Sequence, residues 1–138
     1  MDGTSGAIFG LFFNALAAAI RDLPNSTTEM EPNSWRLVAA SAMAALKKAT
    51  PARIGDRTLM DALDPFVMGL QTGTLCEAVL AAKEGMEKTK GMRPAFGRTV
   101  YVSEEMWKKV PDPGAVGIVA IVEGLMAGIQ ETNSKTHT

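Results

Sequence analysis

The sequence is poor in the residues that carry most enzyme chemistry. Its 138 residues hold one cysteine, one histidine, one tyrosine and two tryptophans. One cysteine forms no internal disulfide, and one cysteine with one histidine leaves no Cys/His zinc site and no Cys–His nucleophile pair. Cys76 lies in an apolar run and reads as a buried, inert thiol of a reducing, cytoplasmic chain. Charge of one sign is also missing: 14 Lys and Arg against 15 Asp and Glu give a net charge of -1. That balance lacks the basic excess of a nucleic-acid binder. The longest apolar run, Ala7 to Ile20, is 14 residues with Asn14 inside it, short of the roughly 20 that span a bilayer. Asp2 before it and Arg21-Asp22 after it do not fit a signal peptide. The expectation is a core helix, with no membrane partner.

What is present is helical. Apolar residues make up 46% and charged residues 21%, enough for one domain with a packed core. Ile8, Leu11, Phe12, Ala15, Leu16 and Ala19 recur at the spacing of one helix face. A turn-rich stretch from Pro24 to Asn33 follows. A second helix capped by Asn33 or Ser34 then buries Trp35, Val38, Ala39, Ala42, Met43 and Leu46 until Thr50-Pro51 ends it. Thr58 with Asp61 suggests a capping box for a third helix, with a kink at Pro65 or a restart capped by Asp64. Thr74 with Glu77 is a cleaner box for a fourth, which Lys88-Thr89-Lys90-Gly91 closes. Ser103 opens a short helix. Asp112-Pro113 then opens a final one with Val116, Ile118, Val119, Ile121, Val122, Leu125, Met126 and Ile129, apolar on more than one face and therefore expected to be largely buried. Residues 131–138 lack periodicity and read as a disordered tail behind a single domain over 1–130. The nine methionines fall mostly at core positions. The fold class is all-α.

Chemistry, if present, belongs to helix openings. Gly3-Thr4-Ser5-Gly6 offers unpaired N–H groups, hydroxyls and close backbone approach, a combination suited to phosphate. A plain Ser/Thr helix cap is the commoner role of such residues. No P-loop pattern occurs in the chain. Gly55-Asp56-Arg57-Thr58 is a second opening, with a turn and cap as its simpler reading. Asp56, Asp61 and Asp64 do not by spacing alone define a magnesium site, because a hard cation needs converging oxygens. Gly97-Arg98 and Tyr101 lie in an irregular stretch; an arginine there can bind phosphate or simply make a surface ion pair.

The order of these segments is more specific than any one of them. Gly-Thr-Ser-Gly from Gly3, Gly-Asp-Arg-Thr-Leu-Met-Asp-Ala-Leu from Gly55, Gly-Arg-Thr-Val-Tyr from Gly97 and Asp-Pro-Gly-Ala from Asp112 resemble the ATP-binding domain of dihydroxyacetone (glycerone) kinases. The resemblance runs from Asp2 to about Ile129. It implies an antiparallel helical barrel that holds nucleotide at one end, here without the barrel's first helices. It further implies ATP phosphates at Thr4 and Ser5, a nucleotide-pocket lining at Thr58 and Leu59, and a contacting turn at Asp112, Pro113 and Gly114. Asp2 and Thr50 replace glycines of the family pattern. The family's magnesium-holding aspartates are expected upstream of this chain, so no metal ligand is assigned within it. The implied partners are the dihydroxyacetone-binding domain of the same enzyme and a second copy of the parent in a homodimer. The implied activity is transfer of the ATP γ-phosphoryl to dihydroxyacetone or glyceraldehyde, with the isolated chain inactive. A non-catalytic helical interaction module is the alternative.

Overall fold

The computed structural model describes residues 3–24, 31–96 and 101–136. These form six helices: α1 (Thr4–Arg21), α2 (Pro32–Ala49), α3 (Met60–Thr72), α4 (Leu75–Lys88), α5 (Glu104–Lys109) and α6 (Pro113–Thr136). There is no strand among the described residues. Helices α1 to α4 pack in chain order, and α6 lies against α3 and α4. The shared core contains Ile8, Phe12, Met43, Leu46, Leu59, Met60, Leu63, Val79, Ile118 and Val122.

Local signals explain most boundaries. Thr74 Oγ1 accepts the Glu77 N–H at 3.2 Å, and the Glu77 carboxylate accepts the Thr74 N–H at 2.6 Å, completing the expected capping box of α4. Asp112 caps α6 by accepting the Ala115 N–H at 2.9 Å. Helix α2 starts two or three residues earlier than expected, with Glu31 as N-cap and Pro32 in the first turn. A proline there loses no hydrogen bond and arrives with helical φ. Helix α3 starts at Met60, not at a Thr58 cap, and runs unbroken through Pro65. Asp64 restarts nothing; its carboxylate pairs with Lys47 at 2.7 Å. Pro65 has no N–H to give the Asp61 carbonyl, and Gly85 of α4 packs directly on that carbonyl, where a Cβ would overlap the oxygen.

Other departures share one cause: periodicity tells which residues share a face but not what lies opposite. Cys76 is exposed, not buried. Trp35 is about half exposed, and so are Val116, Ile121, Leu125 and Ile129 on α6. That helix buries only the face carrying Ala115, Ile118, Val119 and Val122. Residues 131–136, expected to be disordered, instead continue α6 as exposed turns. The Thr132, Ser134 and Thr136 hydroxyls bond carbonyls four residues back, each at 2.9 Å, and Lys135 pairs with Glu131 at 2.7 Å. Helix α1 is 18 residues long, more than its apolar run alone indicates. It and the segment Glu104–Thr136 are long and apolar enough to cross a membrane by length and composition.

Candidate nucleotide site

Three of the expected segments meet around Gly114. A Cβ built there would lie 2.7 Å from Ser5 Oγ, 3.0 Å from Asp112 Oδ2 and 3.1 Å from the Leu59 Cβ. The openings of α1, α3 and α6 therefore converge, and only glycine fits at the junction without displacing a neighbour. Thr58 sits beside Leu59 in the same loop and is buried.

The three openings are not equivalent. At α6 the Asp112 carboxylate already holds the Ala115 N–H. At α3 the Thr58 hydroxyl accepts the Met60 N–H at 3.1 Å. The first turn of α1 follows Gly3, and among the described residues no side chain caps it. Its leading N–H groups carry the partial positive charge of the helix end. Thr4 and Ser5 are half-buried there and Pro113 is exposed, whereas Thr58, Leu59, Asp112 and Gly114 are buried. The first group forms the accessible rim and the second the floor beneath it.

The floor is built on hydrogen bonds between loops. Asp61 accepts the Gly55 N–H at 2.6 Å and the Thr58 N–H at 2.8 Å. The Asp112 N–H donates to Thr89 Oγ1 at 2.7 Å, and that hydroxyl donates to the Met86 carbonyl at 2.6 Å. Arg57, only 2% exposed and at positive φ, donates through Nη2 to the carbonyls of Val110 (2.9 Å) and Trp107 (3.3 Å). Burial pushes the Asp112 carboxyl above the usual aspartate range. The Ala115 N–H, the Arg57 charge and the Gly114 N–H draw it partly back, and the Asp61 charge adds to the rise.

The aspartates near Gly55 do not fit a magnesium ion. Asp61 spends both oxygens on backbone N–H groups, Asp64 faces Lys47, and Asp56 accepts the Arg53 N–H at 2.7 Å. Among the described residues no group of three or more His, Cys, Asp or Glu is placed to hold a metal. Gly97 and Arg98 lie outside the described residues, and Tyr101 is exposed. Two clefts lie elsewhere. One of about 420 Å³ is lined by Arg93, Pro94, Val102, Glu104 and Trp107. The other, about 610 Å³, runs between α3 and α4 past Ile54, Met68 and Lys88. Neither takes in Thr4, Ser5, Thr58, Leu59, Asp112, Pro113 or Gly114. Sequence reasoning passed over Arg57 and Thr89 as site-building residues. An arginine in a turn reads as surface, and a threonine near a helix end reads as part of the stop.

A helical domain with three helix openings gathered at one end matches a known class. The DAK2 domain family matches residues 1–127, and the chain belongs to that family. It is similar to dihydroxyacetone kinase from Pichia angusta, 39% identical over 97% of this chain and 24% of that protein. It is also similar to dihydroxyacetone kinase 2 from Saccharomyces cerevisiae, 40% identical over 91% of this chain and 22% of that protein. Among solved structures, the dihydroxyacetone kinase of C. freundii in its native form superposes with a TM-score of 0.67 at 27% identity. That match covers 93% of this chain and 21% of the other. The chain thus spans about a quarter of the length of the curated relatives it matches.

Proposed function

We propose that the chain is the ATP-holding portion of a dihydroxyacetone kinase. The observation that carries this reading is the convergence of Ser5, Leu59 and Asp112 on Gly114 beside the first turn of α1, which no described side chain caps. ATP supplies the γ-phosphoryl group. Thr4, Ser5 and the leading N–H groups of α1 bind the phosphates, where helix-end charge and hydroxyl donors match their negative charge. Pro113 forms the neighbouring rim. Thr58, Leu59, Asp112 and Gly114 shape the floor that sets the rim's curvature. Phosphoryl transfer depends on positioning and charge neutralisation, and the residues of this chain supply the positioning.

In the parent enzyme, a separate domain presents the hydroxyl of dihydroxyacetone or glyceraldehyde, magnesium is held by groups outside this chain, and the enzyme works as a cytoplasmic homodimer. The relatives' names and the fourfold greater length of those proteins support a kinase parent with at least one further domain. Calorimetric titration of the chain with ATP is expected to show saturable binding. An assay with ATP, magnesium and dihydroxyacetone is expected to show no turnover above a blank. Absence of any ATP binding overturns the reading, and turnover by the chain alone overturns the division of labour.

A second reading, a helical interaction module without catalytic role, is favoured by one observation. The exposed apolar residues Leu11, Phe13 and Ile20 of α1 and Ile121, Leu125 and Ile129 of α6 form faces of the kind that mark association surfaces.

A further inference from the structure

The cleft lined by Arg93, Pro94, Val102, Glu104 and Trp107 has no part in the junction around Gly114. Its volume of about 420 Å³ is in the range of small-molecule sites, about 300–1,000 Å³. Backbone bonds anchor both of its walls. On one, the Trp107 carbonyl accepts the Gly91 N–H at 3.4 Å and Arg57 Nη2 at 3.3 Å. On the other, the Met92 N–H donates to the Thr89 carbonyl at 3.1 Å and the Ala95 N–H to the Asp56 carbonyl at 3.2 Å. Those two bonds flank Arg93 and Pro94. Glu104 and Trp107, three residues apart on α5, share one face of that helix. Lys108 lies 5.9 Å from the Trp107 ring centroid and pairs with Glu104 Oε1 at 2.6 Å, which limits the freedom of both side chains. Arg93 is exposed and makes no ion pair among the described residues. Helix α5 buries none of its residues, so a place in the core does not account for its tryptophan.

We propose that this cleft is a seat for an aminopurine base such as adenine: the ring stacks on Trp107, Glu104 accepts from its amino group, and Arg93 donates to a ring nitrogen. Every other simple class of ligand leaves one of these three groups unused or opposed. A phosphate or a plain carboxylate suits Arg93 but meets the charge of Glu104 and gains nothing from the indole. An aliphatic chain would desolvate two charged groups and pair with neither. A cation suits Glu104 and the indole face but is repelled by Arg93 and Lys108. An aminopurine has a π face for the indole, an N–H donor for the carboxylate and an adjacent nitrogen acceptor for the guanidinium. Adenine carries that donor and acceptor side by side at N6 and N7. The inference goes beyond the proposed function, because it holds whether or not a triphosphate binds near Ser5. Two sources can supply such a base, the ATP held near Ser5 or a separate nucleoside, and the test separates them.

Adenosine, which has the base and no phosphate, is the probe, and the indole N–H resonance of Trp107 in the full chain is the readout. The chain has two tryptophans, and Trp35→Phe assigns the signal. Adenosine is expected to shift it saturably with a dissociation constant below about 1 mM. Purine riboside, which lacks the amino group, should bind about tenfold more weakly. Arg93→Ala should weaken adenosine by about the same factor. In Glu104→Ala the difference between adenosine and purine riboside should disappear, an outcome that a purely structural role for Glu104 does not produce. Arg93 and Glu104 are exposed, so neither change removes a core contact. An indole signal that adenosine leaves unmoved overturns the proposal, and so does equal affinity of the unmodified chain for adenosine and purine riboside. The amide signals of Ser5 and Gly114 identify the source. If ATP moves them and the indole with one constant, the base in the cleft is that of ATP; if the constants differ, the cleft serves a separate nucleoside. Both results sustain the proposal. ATP that leaves Ser5 and Gly114 unmoved while adenosine still binds refutes the nucleotide reading and not this one.

Discussion

At Gly114 three segments of the chain approach within van der Waals range of a position that has no side chain. Gly114→Ala forces Ser5, Asp112 or Leu59 to move. We expect a loss of about 2 kcal/mol of stability, in the range of overpacking changes, measured by urea unfolding. ATP affinity is expected to fall with it. Asp112 gives a prediction with a pH sign. Its carboxyl is raised above its ordinary value of 3.8, so the folded chain holds that proton more tightly than the unfolded one. The stabilising contribution is fully present below about pH 3.8 and is lost as pH rises through the folded-state value. Asp112→Asn keeps a capping side chain but does not titrate. The stability of the unmodified chain relative to Asp112→Asn should therefore decline from acid toward neutral pH, as urea unfolding over that interval would record. A difference that grows with pH would contradict the assignment.

Helix ends and helix contacts differ in how much the sequence reveals of them. The Thr74–Glu77 box, the Asp112 cap and the close of α4 at Lys88 are legible because each involves residues three or four apart. Thr74→Ala should cost about 1 kcal/mol, and a thermal melt would show it. Glu77, whose carboxyl is held below its usual range first by the backbone N–H of Thr74 and then by its hydroxyl, should give that cap up as pH falls below its ordinary value of 4.5. The α3–α4 contact is different. Nothing in the spacing of Pro65 and Gly85 tells that one leaves a carbonyl bare and the other fits against it. Gly85→Ala should cost about 3 kcal/mol, at the upper end for overpacking, and more than any exposed substitution on α4. The same limit applied to the site. The motifs at Thr4, Thr58 and Asp112 were legible as helix openings, but that they share Gly114, and that Leu59 lies wholly inside, depends on packing across the bundle. The part Arg57 plays in building the floor was not legible for the same reason, since its partners are fifty and more residues away.

Considered as a whole, the molecule buries one side of its helices well and leaves apolar residues of α1 and α6 in solvent. Exposed apolar side chains in such number favour association. Light scattering on the isolated chain should therefore show self-association that rises with concentration. Replacing Leu125 and Ile121 by lysine should reduce it with little change in melting temperature, because neither side chain is in the core. A clean monomer across the concentration range would contradict this view of the exposed faces. On the proposed function the openings of α1, α3 and α6 form one nucleotide site, and ATP titrated into the isotopically labelled chain would reveal it. The amide signals of Thr4, Ser5, Leu59 and Gly114 should shift together and saturate with a single dissociation constant; signals that stay still, or that move with unrelated constants, would contradict it.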